Sequence, residues 1–148
     1  MVHCMRDDHP GSIAYEQLEV GQSAQMVHVV SEADVQDFAR ISGDHNPVHL
    51  DEAFATASMF KGRIAHGMLT AGYVSAVFAM KLPGPGAIYV SQTLNFRAPV
   101  RIGDTVVTEV TIKELLPAKR RAMFACTCRV GDTIVLEGDA ILMLPRSA

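Results

Sequence analysis

The residues "HGMLTAGYVSAVFAMKLPGPG" occupy positions 66–86. From His66 to Leu82 the segment is apolar nearly all round, and β-branched residues are few. A helix with no polar face is a buried helix, and this one spans about 25 Å at about 1.5 Å per residue. Gly72 permits a close backbone approach on one side. The "PGPG" at 83–86 breaks the helix, because proline lacks the amide a helix needs and glycine favours turns.

Beyond that break the hydrophobic period changes to two. Ile88, Val90, Leu94 and Phe96 alternate with Tyr89, Ser91, Thr93 and Asn95, and Val106, Thr108, Val110 and Ile112 alternate with Val107, Glu109, Thr111 and Lys113. Two further strands are predicted at 121–130 and 133–144, joined by a turn at Gly131-Asp132. Upstream, 23–30 reads as a first strand and "SEADVQDFARISG" as a helix. Ser31 is a good N-cap, Glu32 and Asp34 suit the positive end of the helix dipole, and Gly43 is a natural stop. Asp51 caps a shorter helix carrying Ala53, Phe54 and Ala57. Strands bunched after helices predict an α+β fold, with a curved antiparallel sheet wrapped around the long helix.

The chain has 148 residues, 49% of them hydrophobic and 20% charged, which favours one domain with a sizeable core. Residues 1–14 read as a flexible tail and 15–148 as the domain. Net charge is −3 with no Lys/Arg run, so nucleic acid is not an expected partner. No apolar run approaches the roughly 20 residues of a membrane span, and the polar "MVHCMRDDHPGS" lacks the apolar stretch of a secretion signal. Cys4, Cys126 and Cys128 are three in number, which argues against a disulfide framework and for a cytoplasmic location. Cys126 and Cys128 share one strand face and read as packed core thiols. No metal motif and no phosphate-cradling loop occurs, so no metal or cofactor is expected.

The stretch "ISGDHNPVHL", 41–50, places Asp44 and His49 five residues apart across Pro47. A histidine near neutral pKa carries protons, and a nearby carboxylate raises its basicity. Turn chemistry alone accounts equally for the aspartate and asparagine. Gly67, at the start of the long helix, has a free amide at the positive dipole end, suited to a developing oxyanion; tight chain entry is the plainer role. Ser75, further along, needs a partner for its hydroxyl, either its own helix carbonyl or a carboxylate such as Asp44. No G-x-S-x-G elbow surrounds it. His66 reads as a helix-start residue, and His3, His9 and His28 show no evident partners.

Three stretches together resemble one family. "FARISGDHNPVHLDEAFA" (38–55), "GRIAHGMLTAGYVSAVF" (62–78) and "IYVSQTLNFRAPVRIGDTV" (88–106) are similar, in order and spacing, to the MaoC-like, or (R)-specific enoyl-CoA hydratase, family. The first matches its hydratase-2 motif: an aromatic, then S-G-D-x-N-P-[LIV]-H and a downstream alanine. The likeness covers about residues 15–145. It implies a hot-dog fold, a homodimer with joined sheets (or a higher oligomer), and reversible hydration of a trans-2-enoyl-CoA to the (R)-3-hydroxyacyl-CoA. Asp44 and His49 fall on the catalytic pair, Gly67 on the glycine facing the thioester carbonyl, and Ser75 on the serine near the aspartate. Asn46, Met68 and Leu69 are further substrate-binding candidates. CoA enters only as part of the substrate, with Arg97, Arg101 and Lys61 as candidate phosphate cations. A hot-dog thioesterase and a non-catalytic acyl-CoA-binding subunit are the alternatives, although inactive subunits usually lack the Asp/His pair.

Overall fold

The computed structural model describes residues 13–146. Most of the expected tail lies outside the described residues. Its last two positions do not behave as tail: the Ile13 amide donates to the Pro83 carbonyl at 2.9 Å, and Ala14 precedes a single 3-10 turn at Tyr15–Gln17.

The elements follow in the order β1 (Ser23–Val29), α1 (Glu32–Ser42), α2 (Pro47–Leu50), α3 (Glu52–Ala57), α4 (Gly67–Met80), β2 (Ile88–Gln92), β3 (Asn95–Phe96), β4 (Thr105–Leu116), β5 (Arg121–Val130) and β6 (Thr133–Met143). All pairings are antiparallel, in the order β1-β4-β5-β6-β2, with β3 also on β6. The α+β expectation therefore holds, and the long apolar segment is α4, packed against this sheet.

Two details depart from the sequence reading. The predicted strand from Ile88 to Phe96 is two strands, β2 and β3. Where they part, the Thr93 carbonyl oxygen lies 1.9 Å from where a β-carbon on Gly138 would stand, so only glycine fits opposite. The "GDHNP" turn also leads into a helix, α2, that the reading missed. Pro47 occupies its first turn, where a missing amide costs nothing.

The core joins Val74, Val77 and Phe78 of α4 to inward residues of the sheet such as Val110, Ile112, Phe124 and Leu142. Phe78 meets Phe124 edge to face at 4.9 Å, a favoured aromatic geometry. Cys126 and Cys128 lie in this core as expected, and burial pushes the Cys126 thiol up to about 12.

α4 is less enclosed than its composition predicts. Met68, Gly72, Ser75 and Ala79 are exposed along one stripe. β2, at the open end of the sheet, exposes Ile88, Tyr89 and Val90. No helix among the described residues is long and apolar enough to cross a membrane.

Candidate active site

Asp44 and His49 reach the site by successive capping. Gly43 ends α1 in the left-handed conformation (φ 81°), which glycine adopts without a side-chain clash. The Asp44 carboxylate accepts the Asn46 amide at 3.1 Å, and the Asn46 side-chain oxygen accepts the Val48 amide at 3.2 Å, starting α2. One turn later His49 points inward and is buried, while Asp44 stays exposed in the isolated chain. Arg63 holds α2 in place. Its Nε donates to the His49 carbonyl at 2.7 Å, and its two terminal nitrogens grip Glu32 at 2.9 Å each.

The hydrogen bonds set the tautomers. His49 Nδ1 lies 2.8 Å from the Ile64 carbonyl, which only accepts, so Nδ1 carries the proton and Nε2 keeps a free lone pair. His66 Nε2 lies 2.9 Å from the Asp44 main-chain carbonyl, so it is protonated there. Burial lowers the His49 pKa below its ordinary 6.5; the Ile64 carbonyl opposes this, neighbouring His66 adds to it and Asp44 works against it. His49 is thus a neutral base near pH 7.

Ligand atoms of Asp44, His49 and His66 all lie within 4.8 Å of one another. Two hydrogen bonds of about 2.8 Å from one water span such a gap. A metal ion fits less well. The His49 and His66 rings stack at 3.8 Å with 30° between planes. An ion must lie near the plane of each ring at about 2.0–2.1 Å, and nearly parallel planes at that spacing do not converge on one point.

A cavity of about 600 Å³ opens beside this cluster, lined among others by Asp44, Met59, Phe60, His66, Gly67 and Phe96. Gly67 is the first residue of α4, where amides have no intrahelical acceptor. A β-carbon there would meet the Phe96 ring at 2.7 Å, so glycine is what lets the ring lie over the helix start.

The other expected residues divide. Met68 lines this cavity and also a second one of about 440 Å³. Asn46 caps α2, which commits its side-chain oxygen to the backbone. Leu69 lines neither of these cavities; it is half-buried and packs on the core. Ser75 does not sit beside Asp44. It lines the second cavity with Gly72, Tyr89 and Ser91, about 12 Å along α4 from Gly67 at about 1.5 Å per residue. An orienting contact with the Asp44 carboxylate of the same chain is therefore absent. His28 does have partners, Asp34 at 2.9 Å and the Tyr73 ring at 4.4 Å. The residue that sequence reasoning missed is His66. Its only signal was adjacency to Gly67.

Comparison with known proteins identifies the family and the fold. A family model described as the MaoC like domain matches residues 16–129. A 3-hydroxybutyryl-CoA dehydratase of Methylorubrum extorquens is 55% identical over 89% of this chain and 84% of that protein. An (R)-specific enoyl-CoA hydratase of Rhodospirillum rubrum is 51% identical over 88% of this chain and 91% of that protein. The unliganded structure of R-hydratase PhaJ1 from Pseudomonas aeruginosa superposes with a TM-score of 0.86 at 46% identity, covering 92% of this chain and 88% of that one. The fold is that of these hot-dog hydratases.

Proposed function

The chain belongs to the MaoC-like family, and on that premise we propose that it is a hydro-lyase that hydrates trans-2-enoyl-CoA reversibly to (R)-3-hydroxyacyl-CoA. The observation that carries the reading is that ligand atoms of Asp44 and His49 lie within 4.8 Å of one another, one water's span, beside the cavity, with the His49 Nε2 lone pair free. In this mechanism Asp44 and His49 hold one water. It loses a proton to the pair as its oxygen attacks C3, and the pair returns a proton to C2, so the new C3–O and C2–H bonds form on one face. The Gly67 amide, at the positive end of α4, faces the thioester oxygen as it becomes enolate-like.

The thioester enters the 600 Å³ cavity, with Met68 dividing it from the second. Ser75, on the second cavity's wall, then faces the acyl chain rather than the Asp44 of its own chain. CoA arrives only as part of the substrate, and no separate cofactor enters the mechanism. The cytoplasm, where acyl-CoA is met and thiols stay reduced, is the proposed location.

A second copy of this chain is the proposed partner. The open β2 edge and the exposed α4 stripe form one face. Pairing β2 with its symmetry mate would cover both, and an unpaired edge invites such pairing. Light scattering should read twice the chain mass or more, and a stable monomer would refute it.

The defining assay is crotonyl-CoA hydration. Loss of enoyl absorbance without free thiol, with (R)-3-hydroxybutyryl-CoA as product, is expected. Release of free thiol would instead mean a thioesterase, and no turnover would mean a binding subunit.

A further inference from the structure

One imidazole touches both members of the Asp44/His49 pair. His66 is 2% exposed, its ring stacks on His49 at 3.8 Å, and its Nε2–H donates to the Asp44 carbonyl at 2.9 Å. Phe38 closes its other side at 4.8 Å, so the ring has little freedom. His66 also lines the cavity, which His49 does not.

The remaining nitrogen sharpens the point. His66 Nδ1 is buried and has no hydrogen-bond partner among the described residues. A buried acceptor left unpaired opposes folding, and a phenyl ring would fill the same slot without that loss. What imidazole alone supplies is a flat plate combined with an in-plane N–H at Nε2.

We propose that His66 is a positioning residue of the hydration reaction, a single plate that fixes the His49 ring by stacking and the Asp44 turn by hydrogen bonding, and so sets the gap the reacting water spans. The proposal rests on the Asp44/His49 mechanism above. His49 Nε2 has no other contact that fixes its ring plane, since its one ring hydrogen bond is at Nδ1. Asp44 is held from within its own turn by Asn46 and Ser42, and His66 is its link to α4. Without the plate, the two acceptors drift independently, and a misplacement of about 1 Å costs on the order of 100-fold in rate.

Two substitutions separate the contacts. His66→Gln keeps an amide N–H where Nε2 stands and loses the plate; His66→Phe keeps the plate and loses the donor. Each should lower kcat on crotonyl-CoA by about 10-fold or more while KM changes by less than about threefold, because the substrate pocket persists and the water geometry does not. In His66→Gln the acid limb of kcat/KM should also move to higher pH, because His49 becomes better solvated once the stacked ring is gone. Unchanged kcat and an unchanged acid limb in both, with cooperative melting, would overturn the proposal. If neither variant folds, nitrogen-15 spectra of the histidines in the wild-type enzyme decide. His66 should show the Nε2–H tautomer and His49 the Nδ1–H tautomer at pH 7, and the reverse for His66 would overturn it. Asp44→Asn is the control. If it retains activity, the underlying mechanism has failed; if it is inactive while both His66 variants match wild type, only this inference has.

Discussion

The described residues hold two aspartate–histidine pairs, and they are built oppositely. His28 and Asp34 touch at 2.9 Å, with their side chains 45% and 30% exposed. Asp34 also accepts the Ser31 amide in the capping box of α1. Each group is already paired with the other, with no gap between them. Asp44 and His49 make no direct bond. His49 spends one nitrogen on the Ile64 carbonyl and keeps the other free, and the carboxylate stands a water's width away. A closed pair stabilises the fold, whereas an open pair can hold a reactant. Histidine beside aspartate in a sequence does not separate the two cases; the gap does.

The largest expected effect tests the open pair. Asp44→Ala and His49→Ala should each lower kcat by about 100-fold or more, since each removes a proton-transfer partner. Circular dichroism should remain native, because Asp44 is exposed and His49 is a single buried ring. Turnover within a few-fold of wild type in either variant would place the two pairs in one class.

A smaller effect is expected at Gly67→Ala. Its new methyl meets Phe96 at 2.7 Å, but that ring is 53% exposed and free to swing. The fold should survive while the ring is pushed off the start of α4, and kcat/KM should fall by about 10-fold as the thioester loses its fit to the amide. Phe96→Ala in the same chain removes the clash. Recovery in the double variant would trace the loss to the ring, and no recovery would trace it to the backbone at the helix start.

The pairs should also titrate in separate windows. Burial depresses the His49 pKa, so the folded state favours the neutral ring. The unfolded chain binds that proton first as pH falls below about 6.5. Stability from this source is complete above that value and is lost as pH drops through the folded pKa, and the acid limb of kcat/KM should lie below 6.5. Asp34 is depressed by the Ser31 amide, then by His28. Its contribution is present above about 3.9, the unfolded carboxyl value, and is lost only below it. A denaturation series against pH should therefore show two separate declines in wild type. His49→Gln should remove the upper one and leave the lower.

Much of this was legible in residues and some was not. The all-round apolar run 66–82 and the period of two after "PGPG" led directly to α4 and the sheet. "SGDHNPVH" marked Asp44 and His49 through motif likeness, not through local physics, which favoured a turn equally. α2 was hidden because Asn-Pro reads as a loop until the asparagine is seen to cap four helical residues. The place of Ser75 was not legible because motif spacing carries no geometry along a helix: eight residues past Gly67 is another cavity. Leu69 follows Met68, but neighbours in a helix point about 100° apart, and Leu69 packs on the core. His66 was invisible because its role lies in contacts to Phe38, His49 and Asp44, which come from separate segments. His28 and Asp34, six residues apart, meet only because β1 runs directly into α1.

The smallest effects are expected at the closed pair. His28→Ala and Asp34→Ala should leave kcat and KM on crotonyl-CoA at wild-type values, because neither side chain lines either cavity. Their effect belongs to stability. Asp34→Ala removes one half of the α1 capping box together with the hydrogen bond to His28, for a loss of about 1 kcal/mol. His28→Ala removes the hydrogen bond to Asp34 and the stack on Tyr73, whose buried hydroxyl has its pKa pushed up to about 12. Partly exposed pairs are screened, so the coupling in a double-mutant cycle should be below about 1 kcal/mol and should shrink with salt. Chemical denaturation of the four proteins at low and high salt measures it. A coupling that survives high salt, or a fall in kcat in either single variant, would show that the closed pair acts on the open one, through the one turn of backbone between Asp34 and Phe38 and the Phe38 ring against His66. The division of labour between the pairs holds only if that route carries nothing.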